Sequence, residues 1–203
     1  MSVRRGRRVA REAEVRRATG ETEIRVKLDL DGGGSFQGGT GVGFLDHMLH
    51  LLARHALLDL VVEAKGDLHV DAHHTVEDTG ICLGQALREA LGDKKGINRY
   101  GWALLPMDEA LALVAVDLSG RPYLAYDAVI PGLSAGDLPV ELVPEFFRAL
   151  VNNAGITAHL RLLSGANTHH SIEALFKGFA RALREAVKAE ERERGVPSTK
   201  GLL

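Results

Sequence analysis

His73-His74-Thr75-Val76-Glu77 and His169-His170-Ser171-Ile172-Glu173 are one pattern, HHxxE, standing 96 positions apart. Ala86-Leu87-Arg88-Glu89-Ala90 meets Ala182-Leu183-Arg184-Glu185-Ala186 at the same offset. Two coincidences at one offset mark an internal duplication. With a two-residue gap, Asp46-His47-Met48 aligns with Pro144-Glu145-Phe146.

Outward from these motifs the elements recur in similar order. Ile24, Val26, Leu28 and Leu30 alternate with Arg25, Lys27 and Asp29, which predicts a half-buried strand ending at Asp31-Gly32-Gly33-Gly34. Residues 9–19 can pair with it through a turn near Gly20. Phe44, Leu45, Met48, Leu51 and Leu52 stand at helical spacing, so a helix runs from Gly43 to about Leu57. A strand over 58–64 and a helix from about His74 to Leu91 follow. Beyond the turn-rich residues 92–101, strands are expected at about 104–117 and 122–130. A helix at 142–153, a strand at 156–163 and a helix at 170–189 complete the chain.

Composition narrows the class. The 203 residues carry 25 Lys+Arg against 27 Asp+Glu, a net charge of −2, and the pI is near 6.5. That balance argues against a dedicated nucleic-acid binder. Hydrophobic residues at 45% and charged residues at 26% suit a globular chain with a core. No apolar run reaches the ~18 residues of a spanning helix, so no membrane association is expected. Cys82 stands alone and cannot make an intrachain disulfide, and no signal-like stretch opens the chain, so a reducing cytoplasm is the expected location. Residues 1–17 hold seven arginines against Glu12 and Glu14, and read as a solvated terminus rather than a phosphate-gripping arm.

On a helix, positions i and i+4 share a face, so His73 joins Glu77 and His169 joins Glu173. His74 and His170 stand about 100° around from their neighbours, so each pair is expected to divide its imidazoles between two ions. A lone HHxxE is most simply a helix cap or a surface network. Two matched copies, with His47 and its counterpart Glu145, point instead to a divalent ion such as Mn²⁺, Fe²⁺ or Zn²⁺ held without thiolate. His50, His69 and His159 lack such pairing and read as packed or surface residues, whereas His55, two turns past His47, can flank the same pocket.

A second group is basic: Arg99, Arg121, Lys177 and the tail Pro197-Ser198-Thr199-Lys200-Gly201. Lys177 lies one turn past Glu173, and a cation beside a metal is unfavourable unless an anion lies between them. A phosphate-bearing substrate is therefore expected, with Ser198 and Lys200 as further donors. Singly, Arg121 reads as a turn residue and Lys200 as a solvated one.

Gly43-Phe44-Leu45-Asp46-His47-Met48-Leu49, Asp71-Ala72-His73-His74-Thr75-Val76-Glu77-Asp78, His169-His170-Ser171-Ile172-Glu173-Ala174 and Pro197-Ser198-Thr199-Lys200-Gly201 resemble the imidazoleglycerol-phosphate dehydratases of histidine biosynthesis. So do Gly96-Ile97-Asn98-Arg99, Pro106-Met107-Asp108-Glu109-Ala110 and Ser119-Gly120-Arg121-Pro122-Tyr123. The resemblance runs from about residue 9 to the C-terminus. It implies an internally duplicated α+β fold, two similar halves with helices packed between two mixed sheets. The halves are expected at 1–95, with the N-terminal arm, and 96–203, with a substrate-binding tail, forming one compact catalytic unit.

The resemblance also implies a homo-oligomer of 24 subunits with active sites between subunits and two Mn²⁺ per site. Carried over by position, the metal ligands are His47, His73, His74, Glu77, Glu145, His169, His170 and Glu173. Glu145 stands where the family often has histidine, and a carboxylate still binds Mn²⁺. Glu21 in Gly20-Glu21-Thr22 is the implied acid/base, although by itself it reads as a turn carboxylate. His55, Arg99, Arg121, Lys177, Ser198 and Lys200 are the implied substrate and phosphate contacts. The implied reaction is dehydration of imidazoleglycerol phosphate to imidazole-acetol phosphate through a metal-bound imidazolate and a diazafulvene-type intermediate. A metal-scaffolded shell protein would account for the histidines but leaves the basic residues without a role. A nucleic-acid module built on the arginine-rich start would explain neither HHxxE signature.

Overall fold

The computed structural model describes residues 10–193 and 195–203. β1 (Glu12–Ala18) and β2 (Thr22–Asp29) form an antiparallel hairpin in which Val15 faces Val26. Burial follows the alternation read in the sequence: Ile24, Val26 and Leu28 point inward, and Glu23 and Lys27 outward. β3 (Phe36–Gly39), α1 (Gly43–Ala56), β4 (Asp59–Gly66) and α2 (His73–Leu91) follow. β4 runs antiparallel to β2 and parallel to β3, giving the order β1-β2-β4-β3.

The remaining elements repeat this plan. β5 (Tyr100–Met107), β6 (Ala110–Asp117) and β7 (Tyr123–Asp127) precede a small hairpin of β8 (Ser134–Ala135) and β9 (Leu138–Pro139). α3 (Leu142–Ala154), β10 (Thr157–Ser164) and α4 (Thr168–Val187) complete it. The second sheet has the order β5-β6-β10-β7, again antiparallel, antiparallel, parallel. The fold is α+β and duplicated, two four-stranded mixed sheets sharing one topology.

Three expectations need correction. The stretch expected as extended over 104–117 is a hairpin, which begins at Tyr100 and reverses at Asp108, where φ is 49°. β3 and the β8–β9 hairpin were not expected, being short and rich in small residues. The arginine-rich start is not simply a solvated terminus, because β1 occupies part of it. Arg11 pairs with Asp31 at 2.6 Å and donates to the Val187 carbonyl at 2.6 Å, and Arg17 pairs with Asp78 at 2.8 Å. Residues 1–9 of that run lie outside the described residues.

The helices exchange partners between the halves. α2 lies on β1 and β2, and α4 on β5 and β6, while α1 packs on α4 and α3 packs on α2. Close approach of α2 and α3 depends on Gly80 and Gly84. A Cβ at Gly84 would stand 2.4 Å from the Leu150 carbonyl oxygen, and one at Gly80 would stand 2.7 Å from that of Phe146. Phe146 and Phe147 of α3 then meet Phe176 and Phe179 of α4 in the buried centre, with ring centroids 4.7–5.3 Å apart. At the start of α1, Val42 supplies no side-chain cap; Asp137, from the β8–β9 turn, accepts from the N–H groups of Gly43 at 2.6 Å and Phe44 at 2.8 Å. Among the described residues, no helix is long and apolar enough to cross a membrane.

Candidate metal centre and active site

Helix exchange brings His47 of α1 to His169 and Glu173 of α4. The Glu173 Oε1 lies 2.7 Å from His47 Nε2 and 3.0 Å from His169 Nε2. One donor atom from each of the three residues lies within 4.8 Å of the others. The Phe44 and His169 rings meet edge to face with centroids 5.0 Å apart, packing the wall of the cluster. Glu173 is buried while both imidazoles are exposed, so the carboxylate forms the floor and the rings the rim. Burial raises the Glu173 pKa, but hydrogen bonds from Lys177, His47 and His169 outweigh it and bring the group down to about 2.

Two imidazoles and an ionised carboxylate, without thiolate, make a donor set that fits a borderline-hard divalent ion. Cys82 is no competitor, since burial pushes its thiol up to about 11. Among the described residues this is the one group of three such donors close enough to share an ion.

The counterpart cluster at the start of α2 is more open. His73 Nε2 lies 3.9 Å from Glu77, and His74 Nε2 lies 3.7 Å from Glu21 in the β1–β2 turn. Ring geometry nevertheless repeats between the halves. His73 and His74 have centroids 6.1 Å apart at 80°, and His169 and His170 have centroids 6.1 Å apart at 82°. Adjacent rings thus face different directions, as the helical angle requires. Glu145, in the first turn of α3, pairs with Arg148 rather than joining His73 and Glu77 in a compact group.

The basic residues separate into two places. Arg99, Arg121, Ser198 and Lys200 line one open groove of about 1000 Å³ with Tyr100 and Ser119. Arg121 is exposed, while Arg99 is largely committed: it pairs with Asp117 at 2.7 Å, donates to the Pro197 carbonyl at 2.8 Å and stacks 4.6 Å from the Tyr100 centroid. Arg99 therefore pins the tail that carries Ser198 and Lys200. Lys177 lies outside this groove, against Glu173 and 3.5 Å from the Met107 sulfur. Its partner within the chain is Glu173, the carboxylate at the floor of the three-donor group. His55 shares that neighbourhood; burial first, then the charges of Lys177, Arg181 and Arg54, lowers its pKa.

Residues 40–183 match the family model for imidazoleglycerol-phosphate dehydratase. The chain belongs to this family. Imidazoleglycerol-phosphate dehydratases are hydro-lyases, and the likeness extends over nearly the whole chain. The chain is 61% identical over 195 residues to the Moorella thermoacetica imidazoleglycerol-phosphate dehydratase, covering 96% of this chain and 100% of that protein. With the Acetivibrio thermocellus enzyme the identity is 59% over 193 residues, covering 95% and 99%. The crystal structure of the dehydratase from Staphylococcus aureus superposes with a TM-score of 0.80 at 46% identity, covering 88% of this chain and 99% of that one. The Pyrococcus furiosus structure gives a TM-score of 0.80 at 43% identity, covering 93% and 100%.

Three side chains carry contacts to which the reading of the sequence assigned no role, although Asp108 and Glu109 stand in the quoted run Pro106-Met107-Asp108-Glu109-Ala110. Asp67 lies 3.0 Å from His74 Nδ1, Glu109 lies 2.8 Å from His170 Nδ1, and Asp108 lies 3.7 Å from His170 Nε2. Asp108 occupies the β5–β6 turn as Glu21 occupies the β1–β2 turn, each 3.7 Å from the second histidine of its pair. Recognising the turn inside residues 104–117 would have exposed that match.

Proposed function

We propose that this chain dehydrates imidazoleglycerol phosphate to imidazole-acetol phosphate, a cytoplasmic step of histidine biosynthesis, with two Mn²⁺ ions per active site. The observation that carries the reading is the convergence of His47, His169 and Glu173 from both halves into one three-donor group. The eight residues His47, His73, His74, Glu77, Glu145, His169, His170 and Glu173 would hold the ions. When bound, the ions supply Lewis acidity and a fixed seat for the substrate's imidazole.

The protein's own groups have separable tasks. The carbon that loses its proton has no neighbouring carbonyl to acidify it, so a placed base is needed. Glu21, exposed in its turn beside His74, takes that proton after hydroxide has left the carbon next to the imidazole. The enol that results becomes the ketone by moving one proton. Arg121, Lys177, Ser198 and Lys200 grip the phosphate, with Arg99 holding the tail in place and His55 flanking the substrate. No residue of the three-donor group lines the tail groove. This separation supports an active site shared between chains, in a homo-oligomer of 24 subunits.

The test is to supply imidazoleglycerol phosphate to the Mn²⁺-loaded protein. One ketone should appear for each substrate consumed, and Glu21→Gln should lower kcat by about 10²- to 10⁴-fold while leaving Mn²⁺ affinity unchanged. Absence of product from the loaded, assembled protein would overturn the reading, and an unchanged kcat would remove Glu21 from it.

A further inference from the structure

The two histidines of each pair use different nitrogens to meet the protein. His73 and His169 turn Nε2 toward the glutamate four residues on, at 3.9 and 3.0 Å. His74 and His170 are instead anchored through Nδ1. His74 Nδ1 stands 3.0 and 3.3 Å from the two Asp67 oxygens, and His170 Nδ1 stands 2.8 Å from Glu109 Oε2. An ionised carboxylate only accepts hydrogen bonds, so in both rings Nδ1 is the donor. In a neutral imidazole the lone pair is then left on Nε2. That nitrogen stands 3.7 Å from an exposed carboxylate in each half, Glu21 beside His74 and Asp108 beside His170.

The two anchors do not occupy matching places in the duplicated chain. Asp67 follows the last residue of β4, whereas Glu109 stands in the β5–β6 turn. Their settings differ too. Glu109 spends its other oxygen on the N–H groups of Ala166 at 3.1 Å and Asn167 at 2.7 Å, tying the turn to the loop before α4. Asp67, with a side chain only 17% exposed, makes its side-chain contact with His74. Simple repetition of one ancestral contact would have used equivalent positions. Instead two unrelated positions arrive at one result, a carboxylate on Nδ1 of the second histidine.

We propose that Asp67 and Glu109 are positioning residues: they hold His74 and His170 in the tautomer and orientation that present Nε2 to a divalent ion. This inference rests on the metal reading above. A carboxylate behind a ligating imidazole fixes the ring and raises its basicity, and loss of such a partner typically weakens metal binding about 10- to 100-fold. Asp67 gives the cleaner test because Glu109 also supports the α4 loop.

The experiment measures Mn²⁺ affinity of the full chain, stripped and titrated against a competing chelator, with the melting temperature of the metal-free protein recorded alongside. Asp67→Ala should weaken Mn²⁺ binding by about 10- to 100-fold with the metal-free melting temperature close to that of the unmodified protein. Asp67→Asn, whose amide oxygen still accepts from Nδ1, should recover most of the loss. If Asp67 acts through His74, Asp67→Ala combined with His74→Ala should bind no more weakly than His74→Ala alone. Glu109→Gln has one acceptor oxygen to serve either the α4 loop or His170 Nδ1, so it should lie between the two Asp67 variants. Affinity within twofold of the unmodified protein for Asp67→Ala, or losses that multiply in the double variant, would overturn the proposal. Failure of the unmodified protein itself to bind Mn²⁺ would instead bring down the metal reading, and this inference with it.

Discussion

Removing the Asp137 carboxylate tests how the second half holds the first. Its two oxygens accept from the N–H groups of Gly43 and Phe44 at 2.6 and 2.8 Å, at a helix start where Val42 offers no side-chain cap. Loss of an N-terminal cap costs ~0.5–2 kcal/mol, and loss of a negative charge at a helix N-terminus adds ~0.3–1 kcal/mol. Because Asp137 is exposed, solvent screening sets the expectation for Asp137→Ala near ~1.5 kcal/mol. At about 2–4 °C per kcal/mol for a chain of this size, the melting temperature should fall by ~3–6 °C. The pH dependence supplies a second arm. Burial raises the Asp137 pKa, but the Phe44 and Gly43 N–H groups prevail and leave it lowered. A carboxyl with a lowered folded pKa contributes stability above its unfolded pKa and loses it as pH falls through the folded one. Urea unfolding at pH 7 and 5 should therefore show the same gap between Asp137→Ala and the unmodified protein, with the gap closing below about pH 4. A gap under about 0.3 kcal/mol at pH 7, well short of a cap's cost, or one that persists undiminished in acid, would refute the capping role. Since α1 also carries His47, the variant should weaken Mn²⁺ uptake only as far as that helix frays.

Further outcomes follow from other contacts. Gly84→Ala places a methyl 2.4 Å from the Leu150 carbonyl oxygen, so α2 and α3 must separate, at about 1–3 kcal/mol by overpacking; unchanged stability in urea would mean the helices have slack. Glu173→Gln removes the charge that His47, His169 and Lys177 share and should weaken Mn²⁺ binding at least tenfold, a loss detectable by chelator competition; affinity equal to that of the unmodified protein would exclude Glu173 as a ligand. Arg121→Ala together with Lys200→Ala should raise KM for the phosphorylated substrate with Mn²⁺ affinity unchanged, and a KM that does not move would take the tail groove out of the site.

Much of this molecule is readable from residue spacing. α1, α2 and α4 follow their apolar periodicities, and β2 follows its strict alternation. The β5–β6 turn is easily passed over, because only Asp108-Glu109, two exposed polar residues between Met107 and Ala110, and the left-handed φ of Asp108 mark it. β3, with two glycines in four residues, lacks side chains to signal a strand. At the candidate site, HHxxE gives the ligand pairs because i and i+4 share a helix face. Its supporting carboxylates are invisible for the opposite reason. Asp67 and Glu109 reach their histidines from turns, at separations of 7 and 61 residues that no local periodicity encodes. Lys177 shows the limit of charge reasoning: its place beside the ligand face is legible, yet the anion that meets it is Glu173 of the same helix. For Arg99, a basic residue in a turn gave no hint that Asp117 and the Pro197 carbonyl already hold it.

The most direct test of the central claim, that these histidines and carboxylates hold a metal used in catalysis, follows formation of imidazole-acetol phosphate through one cycle of chelation and repletion. Activity should vanish when the protein is stripped and return when Mn²⁺ is added back. Full turnover by the stripped protein, or an assembled Mn²⁺-loaded protein that never turns over, would contradict it.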